Sequence, residues 1–398
     1  MGRALAQRLS AVAPSATLAM NARATEMQSR GIDVFNFGVG EPDFEPPAHV
    51  LEAAHRAIDR GASKYTQVPG IPELRKAIAE HARARLYGPD EVCVSIGAKH
   101  ALFNLALALY EAGDEVVIPA PYWVSYPEQV RLAGATPVIV DTTEASGFRM
   151  SGEQLQKALT PKTKAVILCS PCNPTGSAYA EKDLRPLLDV LRSHDCWIIV
   201  DEIYAELVYD GFTHTTPAAI APDLRDRIVI VDGVSKSYAM TGWRIGWTLA
   251  TKELIRAMGV IQGQSTTNAT AVAQHAALAA VTGPTDEVRK MQTAFEKRRN
   301  VMVDGLNAVP GMHCRKPEGA FYAFADCTGL YGIEHDGKRI TTDEGVAFWL
   351  LDVAHVVGVP GTPFGAPGYI RFSYATNEEK IRAGLDAMRT AIGAARRV

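Results

Sequence analysis

Along the chain, apolar runs of strand length alternate with longer amphipathic stretches, the order expected of an α/β protein with a mainly parallel sheet. Glu115-Val-Val-Ile-Pro119, Lys164-Ala-Val-Ile-Leu-Cys169, Cys196-Trp-Ile-Ile-Val200 and Arg227-Ile-Val-Ile-Val231 are rich in β-branched residues and bounded by polar or turn signals. Continuous apolar runs of this kind are what strands covered on both faces require. Between them, Glu181 to Ser193 and Tyr122 to Ala133 read as helices, as does Ala101 to Tyr110, and Ser151-Gly-Glu-Gln154 has the spacing of a capping box that opens another. The pattern predicts one large α/β domain over residues 46–285.

After Gly283-Pro284 the pattern changes. A charged helix from Thr285 to about Asn307 precedes short strands at Ala320–Ala325 and Tyr369–Tyr374, and a last helix from Asn377. Residues 286–398 therefore read as a smaller α+β domain. Residues 1–45 are too few to fold alone and are expected to pack on it. No internal repeat, low-complexity tract or flexible linker interrupts the chain.

Composition narrows the function classes. The chain has 398 residues, 47% hydrophobic and 21% charged, which suits an ordinary globular protein of more than one domain. A net charge of -3 offers no general attraction for nucleic acid or an anionic membrane surface. The opening Met-Gly-Arg-Ala-Leu-Ala-Gln-Arg lacks the apolar core of a signal peptide, and no apolar run is long enough to cross a bilayer. A cytoplasmic protein with neither nucleic-acid nor membrane partners is expected. The six cysteines are too sparse for a disulfide framework. Cys169 and Cys172 form a single C-x-x-C, either a redox pair or half a zinc site, or two small buried residues at a strand end. The last reading is preferred, because a structural zinc needs four ligands and no second C-x-x-C exists.

Chemistry concentrates where strands are expected to end, the place where open α/β sheets bind ligands. Ser95-Ile-Gly-Ala-Lys-His100 is a small-residue turn running into a helix, so the N–H groups of Gly97 and Ala98 could meet a phosphate, or simply start a helix. Asn173-Pro-Thr-Gly176 is a tight turn that holds the Asn173 amide at a strand end. Asp201, directly after an apolar strand, either caps the next helix or awaits a cationic partner such as a protonated ring nitrogen. Lys236, in Gly233-Val-Ser-Lys-Ser-Tyr, is a candidate nucleophile for an aldehyde, and Arg244 eight residues on could bind a phosphate of the same ligand. The alternative for Lys236 is a solvated surface lysine. Arg371, alternating with apolar residues in Tyr369-Ile-Arg-Phe-Ser-Tyr374, either faces solvent or grips a planar anion.

Taken in this order, these segments resemble the fold type I, class I aminotransferases, which are pyridoxal-phosphate enzymes. The resemblance spans nearly the whole chain. Finer stretches are similar to the bacterial subgroup Ib of aspartate aminotransferases: Pro14-Ser-Ala-Thr17, Gly40-Glu-Pro-Asp-Phe44, Lys64-Tyr-Thr-Gln-Val-Pro-Gly-Ile-Pro72, Pro121-Tyr-Trp-Val-Ser-Tyr-Pro127 and Gln264-Ser-Thr-Thr267. The resemblance implies a mainly parallel seven-stranded sheet in the large domain and a homodimer with shared active sites.

It also implies roles. Lys236 would hold pyridoxal phosphate as a Schiff base and then act as the catalytic base. Asp201 would pair with the ring nitrogen, Tyr204 and Asn173 with the ring oxygen, and Trp123 would stack on the ring. Gly97, Ala98, Lys99, Ser235 and Arg244 would serve the phosphate side, with Tyr65 reaching the phosphate of the neighbouring subunit. Arg371, with Asn173, Trp123 and the backbone at Gly40, would bind the substrate α-carboxylate. Lys99, Ser15 and Thr17 would meet a distal carboxylate, so the expected substrates are aspartate and 2-oxoglutarate. Three departures from the subgroup stand out: Gly233 where a phosphate-binding serine is common, Cys172 where an asparagine is common, and Ala13 where a lysine is frequent. The last touches a region linked to prephenate acceptance, leaving a prephenate, aromatic or alanine aminotransferase as the first alternative. A pyridoxal-phosphate lyase on the same fold is the second. A non-enzymatic regulator is disfavoured, because no DNA-binding segment is recognised.

Overall fold

The computed structural model describes residues 5–12, 16–82 and 85–397. Its centre is a seven-stranded sheet whose strands, in chain order, are β1 (Val92–Ser95), β2 (Glu115–Ala120), β3 (Thr136–Asp141), β4 (Thr163–Cys169), β5 (Trp197–Asp201), β6 (Ile228–Gly233) and β7 (Gly246–Leu249). The spatial order is β1-β7-β6-β5-β4-β2-β3. Every pair is parallel except those of β7, which runs against both β1 and β6. The expected mainly parallel seven-stranded sheet is thus present.

The apolar runs are continuous because both faces are covered. Val117, Val166, Ile198, Val200, Ile228 and Ile230 feed one buried cluster, and their neighbours Val116, Ile118, Ile167, Ile199, Val229 and Val231 feed another. Alternate residues of one strand thus serve two cores, as the two-residue period of a strand dictates. Three strands escaped the sequence reading. β3 is a half-exposed edge strand carrying Pro137, and β1 and β7 are only four residues long. The helix expected from Tyr122 begins at Ser125 instead, since the Tyr122 N–H is donated to Phe364 O at 3.0 Å. The helix expected from Ala101 begins earlier, at Ala98.

A second, antiparallel sheet has the order β10-β11-β9-β8, from β8 (His313–Cys314), β9 (Tyr322–Asp326), β10 (Val359–Pro360) and β11 (Tyr369–Ser373). Helices Asp286–Asn307, Asp343–Ala354 and Glu378–Ala394 enclose a core around Phe295, Trp349, Phe372 and Met388. Asn377 caps the last helix by accepting from Lys380 N at 2.8 Å. The segment carrying Gly38 and Gly40 runs alongside, with Phe35–Asn36 paired to Val356–Val357 and Ser373 N donating to Phe37 O at 2.7 Å.

The reversed direction of β7 positions the site. β1 and β6 end where β7 begins, with Ser95 and Gly233 both in register with Gly246. Arg244 therefore enters the carboxyl edge of the parallel strands from the opposite side. A Cβ at Gly246 would collide with the backbone of Gly97 and Ala98, which no side-chain rotation relieves. We expect Gly246→Ala to destabilise the protein by about 1–3 kcal/mol, read as a lower urea midpoint at unchanged slope.

Candidate active site

A cavity of about 1040 Å³ opens at this edge, lined by residues from both sheets and from the segment of Gly40 and Glu41. Such a cavity is large enough for a cofactor together with a small substrate. Of the residues singled out in the sequence, Gly40, Ala98, Lys99, Trp123, Asn173, Asp201, Tyr204, Ser235, Lys236, Arg244 and Arg371 all line it.

Asp201 ends β5 and is 3% exposed. Its Oδ2 accepts from Tyr126 OH at 2.7 Å and its Oδ1 from Ile203 N at 3.2 Å. Neither donor is a cation. Burial accordingly lifts the carboxyl to about 6, with the two hydrogen bonds pulling the other way.

Lys236 follows β6, and its Nζ donates to Gly40 O at 2.5 Å. Burial lowers the amine to about 8. Glu41 opposes that shift, while Arg371 and Arg244 add to it. The Lys236 amine also lies 5.9 Å from the Tyr204 ring centre and 5.7 Å from that of Phe321.

Arg371 projects from the middle of β11, 3% exposed, with its guanidinium 4.5 Å from the Tyr322 ring centre. Nη1 donates to Asn173 Oδ1 and Nη2 to Gly38 O, both at 2.8 Å, and Nε is buried without a hydrogen-bond partner. The backbone carbonyl beside this arginine is therefore that of Gly38, whereas the Gly40 carbonyl serves Lys236.

Lys99 Nζ lies 4.9 Å from the Trp123 ring centre, and burial and Arg244 lower its pKa. Arg244 Nη1 donates to Thr241 O at 2.6 Å, and its guanidinium abuts Gly97. Gly97 has φ +82°, a conformation that favours glycine. The expectation of a free Gly97 N–H is corrected, because it is donated to Ser95 O at 2.8 Å. Ala98 and Lys99 instead occupy the first turn of the helix, where amides have no intrahelical acceptor. At Gly233 a Cβ would lie 2.8 Å from Gly246 Cα and from Ile245 O, so the tight strand pairing leaves no space for a side chain there.

Two buried tyrosines were not singled out. Tyr126 holds Asp201, and Tyr322 shares a 2.9 Å hydrogen bond with Tyr204. Tyr126 lies in the Pro121–Pro127 stretch, three residues after Trp123, and that helical spacing is the one signal pointing to it. Tyr65 is 88% exposed, so its ring faces away from the core. Ala13 and Ser15 lie outside the described residues, and Thr17 is described only as part of helix Ala16–Ser29. All six cysteines are unpaired, and among the described residues no cluster of three possible metal ligands occurs. No described helix is long and apolar enough to cross a membrane.

The donor set suits an anionic ligand with a cationic ring. Asp201 is a buried anion with no cationic hydrogen-bond partner, and Arg371 Nε is an unpaired buried donor. The Ala98 turn beside Arg244 is a cradle that a Cβ at Gly246 would obstruct. These features fit pyridoxal phosphate.

The family model described as aminotransferase class I and II matches residues 32–388. The aspartate aminotransferase of Rhizobium meliloti (strain 1021) is 46% identical over 391 residues, covering 97% of this chain and 95% of that protein. The aspartate/prephenate aminotransferase of Cereibacter sphaeroides is 47% identical over 383 residues, covering 95% and 96% respectively. Among solved structures, the Rhizobium meliloti aspartate aminotransferase superposes with a TM-score of 0.95 at 45% identity, covering 99% of this chain and 100% of its own.

The buried carboxylate has a measurable consequence. Its folded pKa of about 6 lies above the unfolded value of 3.8, so the folded state binds the extra proton between them. The contribution of Asp201 to stability is therefore lost as pH rises from about 4 to 6, and the full penalty stands above that. Without cofactor, Asp201→Asn should be more stable than the parent at pH 7, by about 1–3 kcal/mol. The difference should shrink as pH falls through this window in urea titrations.

Proposed function

The chain belongs to the class I and II aminotransferases and has their fold type I architecture, and from that premise we propose that it is an aspartate aminotransferase. In this reading it moves the amino group of L-aspartate to 2-oxoglutarate in a ping-pong cycle, with pyridoxal phosphate held on Lys236. The observation that carries the reading is one cavity uniting an amine of lowered basicity, a buried carboxylate without a cationic partner, and a guanidinium with an unpaired buried Nε.

Asp201 would hold the ring nitrogen, with Tyr126 donating to its Oδ2 and steadying the carboxylate. Ser235, Arg244 and the backbone N–H groups of Ala98 and Lys99 would hold the phosphate, and the helix dipole beginning at Ala98 would add to their pull. Tyr204 and Asn173 would serve the ring oxygen, and Trp123 would cover the ring. Pyridoxal phosphate, when bound, supplies an electron sink for the charge left when the substrate Cα loses its proton.

Lys236 Nζ is the proton carrier at Cα. With a pKa of about 8 it is close enough to neutrality both to take a proton and to give it back, which an ordinary lysine is not. Arg371 receives the α-carboxylate as a fork, with Asn173 and Gly38 already aligning its plane. The Tyr322 and Phe364 rings beside the guanidinium keep water from competing for it. Lys99, displaced from Arg371 and lying by Trp123, receives the distal carboxylate of aspartate or glutamate. Ser15 and Thr17 are assigned to the same end.

The proposal extends to assembly. Tyr65, exposed on its own subunit, reaches the phosphate of a partner in a homodimer with shared sites. Residues 46–285 form one domain, and 1–45 with 286–398 form the other, and the cavity lies where their residues meet. Cytoplasmic location is kept as part of the reading. Prephenate is a second candidate acceptor, favoured by the relative named aspartate/prephenate aminotransferase.

Half-reactions with a panel of amino acids test the proposal. Aspartate and glutamate should convert the enzyme, and failure of both would sink it. Purified protein should carry a visible absorption band that Lys236→Ala loses. Arg371→Lys should raise KM roughly ten- to hundredfold for every amino acid, because a point charge replaces a fork. Lys99→Ala should reduce kcat/KM for aspartate by about tenfold or more while sparing alanine. Equal losses on both substrates would remove Lys99 from the distal site.

A further inference from the structure

One fully buried amide outside the cavity touches both segments that the phosphate depends on. Gln262, in helix Lys252–Ser265, is 0% exposed. Its Oε1 accepts from Ser95 Oγ at 2.7 Å and from Asn104 Nδ2 at 3.1 Å, with the Cys93 thiol at 4.0 Å. Its Nε2 donates to Val94 O at 2.9 Å and to Val68 O at 2.7 Å. Both amide hydrogens and both carbonyl lone pairs are thus engaged, the full capacity of a glutamine side chain.

The partners fall in two groups. Ser95 is the last residue of β1 and lies two residues before Gly97, whose backbone turns into Ala98. Asn104, itself 0% exposed, belongs to the helix that this turn opens. Val68 belongs to the loop that follows Tyr65. The same loop is fastened by Pro69 O accepting from Val94 N at 2.9 Å, and by Gln274. Gln274 accepts from Ile71 N at 2.8 Å and donates to Thr66 Oγ1 at 3.1 Å. Gly70, at φ +106°, packs so closely that a Cβ would lie 2.7 Å from Val94 Cγ2. The loop therefore has no independent position. Its place is set by β1 and by two glutamine amides.

We infer that Gln262 is a positioning residue that locks the phosphate turn at Ser95–Ala98 to the loop bearing Tyr65, so that one amide sets phosphate affinity in its own subunit and the presentation of Tyr65 to the partner. This rests on the reading that the cavity binds pyridoxal phosphate and that two subunits share sites. Gln262 acts only through Ser95, Val94 and Val68 and touches no ligand. Its loss should weaken the grip on phosphate and leave the grip on the ring, which Asp201 and Trp123 hold, largely intact.

The test compares equilibrium binding of pyridoxal phosphate with that of pyridoxal, which lacks the phosphate, by fluorescence titration of apoprotein. For Gln262→Leu, affinity for pyridoxal phosphate should fall about tenfold or more, while pyridoxal binding changes less than about threefold. Ser95→Ala, which removes one contact on the turn side, should show the same split at smaller size and serves if Gln262→Leu does not fold. Tyr65→Phe should cost less in the Gln262→Leu background than in the parent, because the loop is already displaced. Equal losses for both ligands would make Gln262 general scaffold and overturn the inference. Strict additivity with Tyr65→Phe would overturn the link to the loop. Parent protein that binds neither ligand would instead refute the cofactor reading itself.

Discussion

Desolvation of charge at one cavity floor is the constraint on which the rest of the structure depends. An amine and a carboxylate are both held away from water and yet do not pair with each other. Lys236 takes a backbone carbonyl and Asp201 takes a phenol and an amide. Each therefore keeps a pKa shifted toward neutrality, the amine down to about 8 and the carboxyl up to about 6. A direct ion pair would reverse both shifts and quench both groups. The scaffold prevents that pair by placing Asp201 at the end of β5 and Lys236 in the segment after the neighbouring β6, and by giving each its own neutral partner.

The strain of this arrangement explains features that look incidental. Arg371 and Arg244 sit close enough to push the lysine further down, and Glu41 moderates them from the segment whose Gly40 carbonyl Lys236 touches. The same Glu41 accepts from Thr241 Oγ1 at 2.8 Å, three residues before Arg244. The segment of Gly38 to Glu41 is thus tied to the loop that carries Arg244 as well as to Arg371. A cavity assembled from charges that cannot neutralise one another is held open by such cross-ties, and a ligand carrying both signs is what completes it.

Much of this was legible in the sequence. Four of the seven strands of the central sheet announce themselves because burial on both faces demands unbroken apolar runs, and several of the reactive residues follow those runs closely. Lys236, Asp201 and Asn173 could be found for that reason. Tyr322 and Gln262 could not, because each acts across more than a hundred residues of sequence and a lone tyrosine or glutamine in an apolar context carries no local mark. β7 was equally silent. Its four residues matter for direction, not composition, and antiparallel insertion into a parallel sheet has no short-range code. The assumed Gly97 amide shows the converse limit, since a turn read as open had already used that N–H internally.

The two groups that Arg371 gathers also bear on when the site comes into being. Gly38, Asn173 and Arg371 lie 333 and 198 residues apart along the chain. The last of them sits on a strand followed only by the final helix. A chain made from its amino end can build the whole central sheet, with Lys236 and Asp201 in place, before the guanidinium exists. Until β11 slides between β9 and β10, Gly38 and Asn173 have nothing to meet. The catalytic pocket thus waits for chain that leaves the ribosome long after its floor has been made.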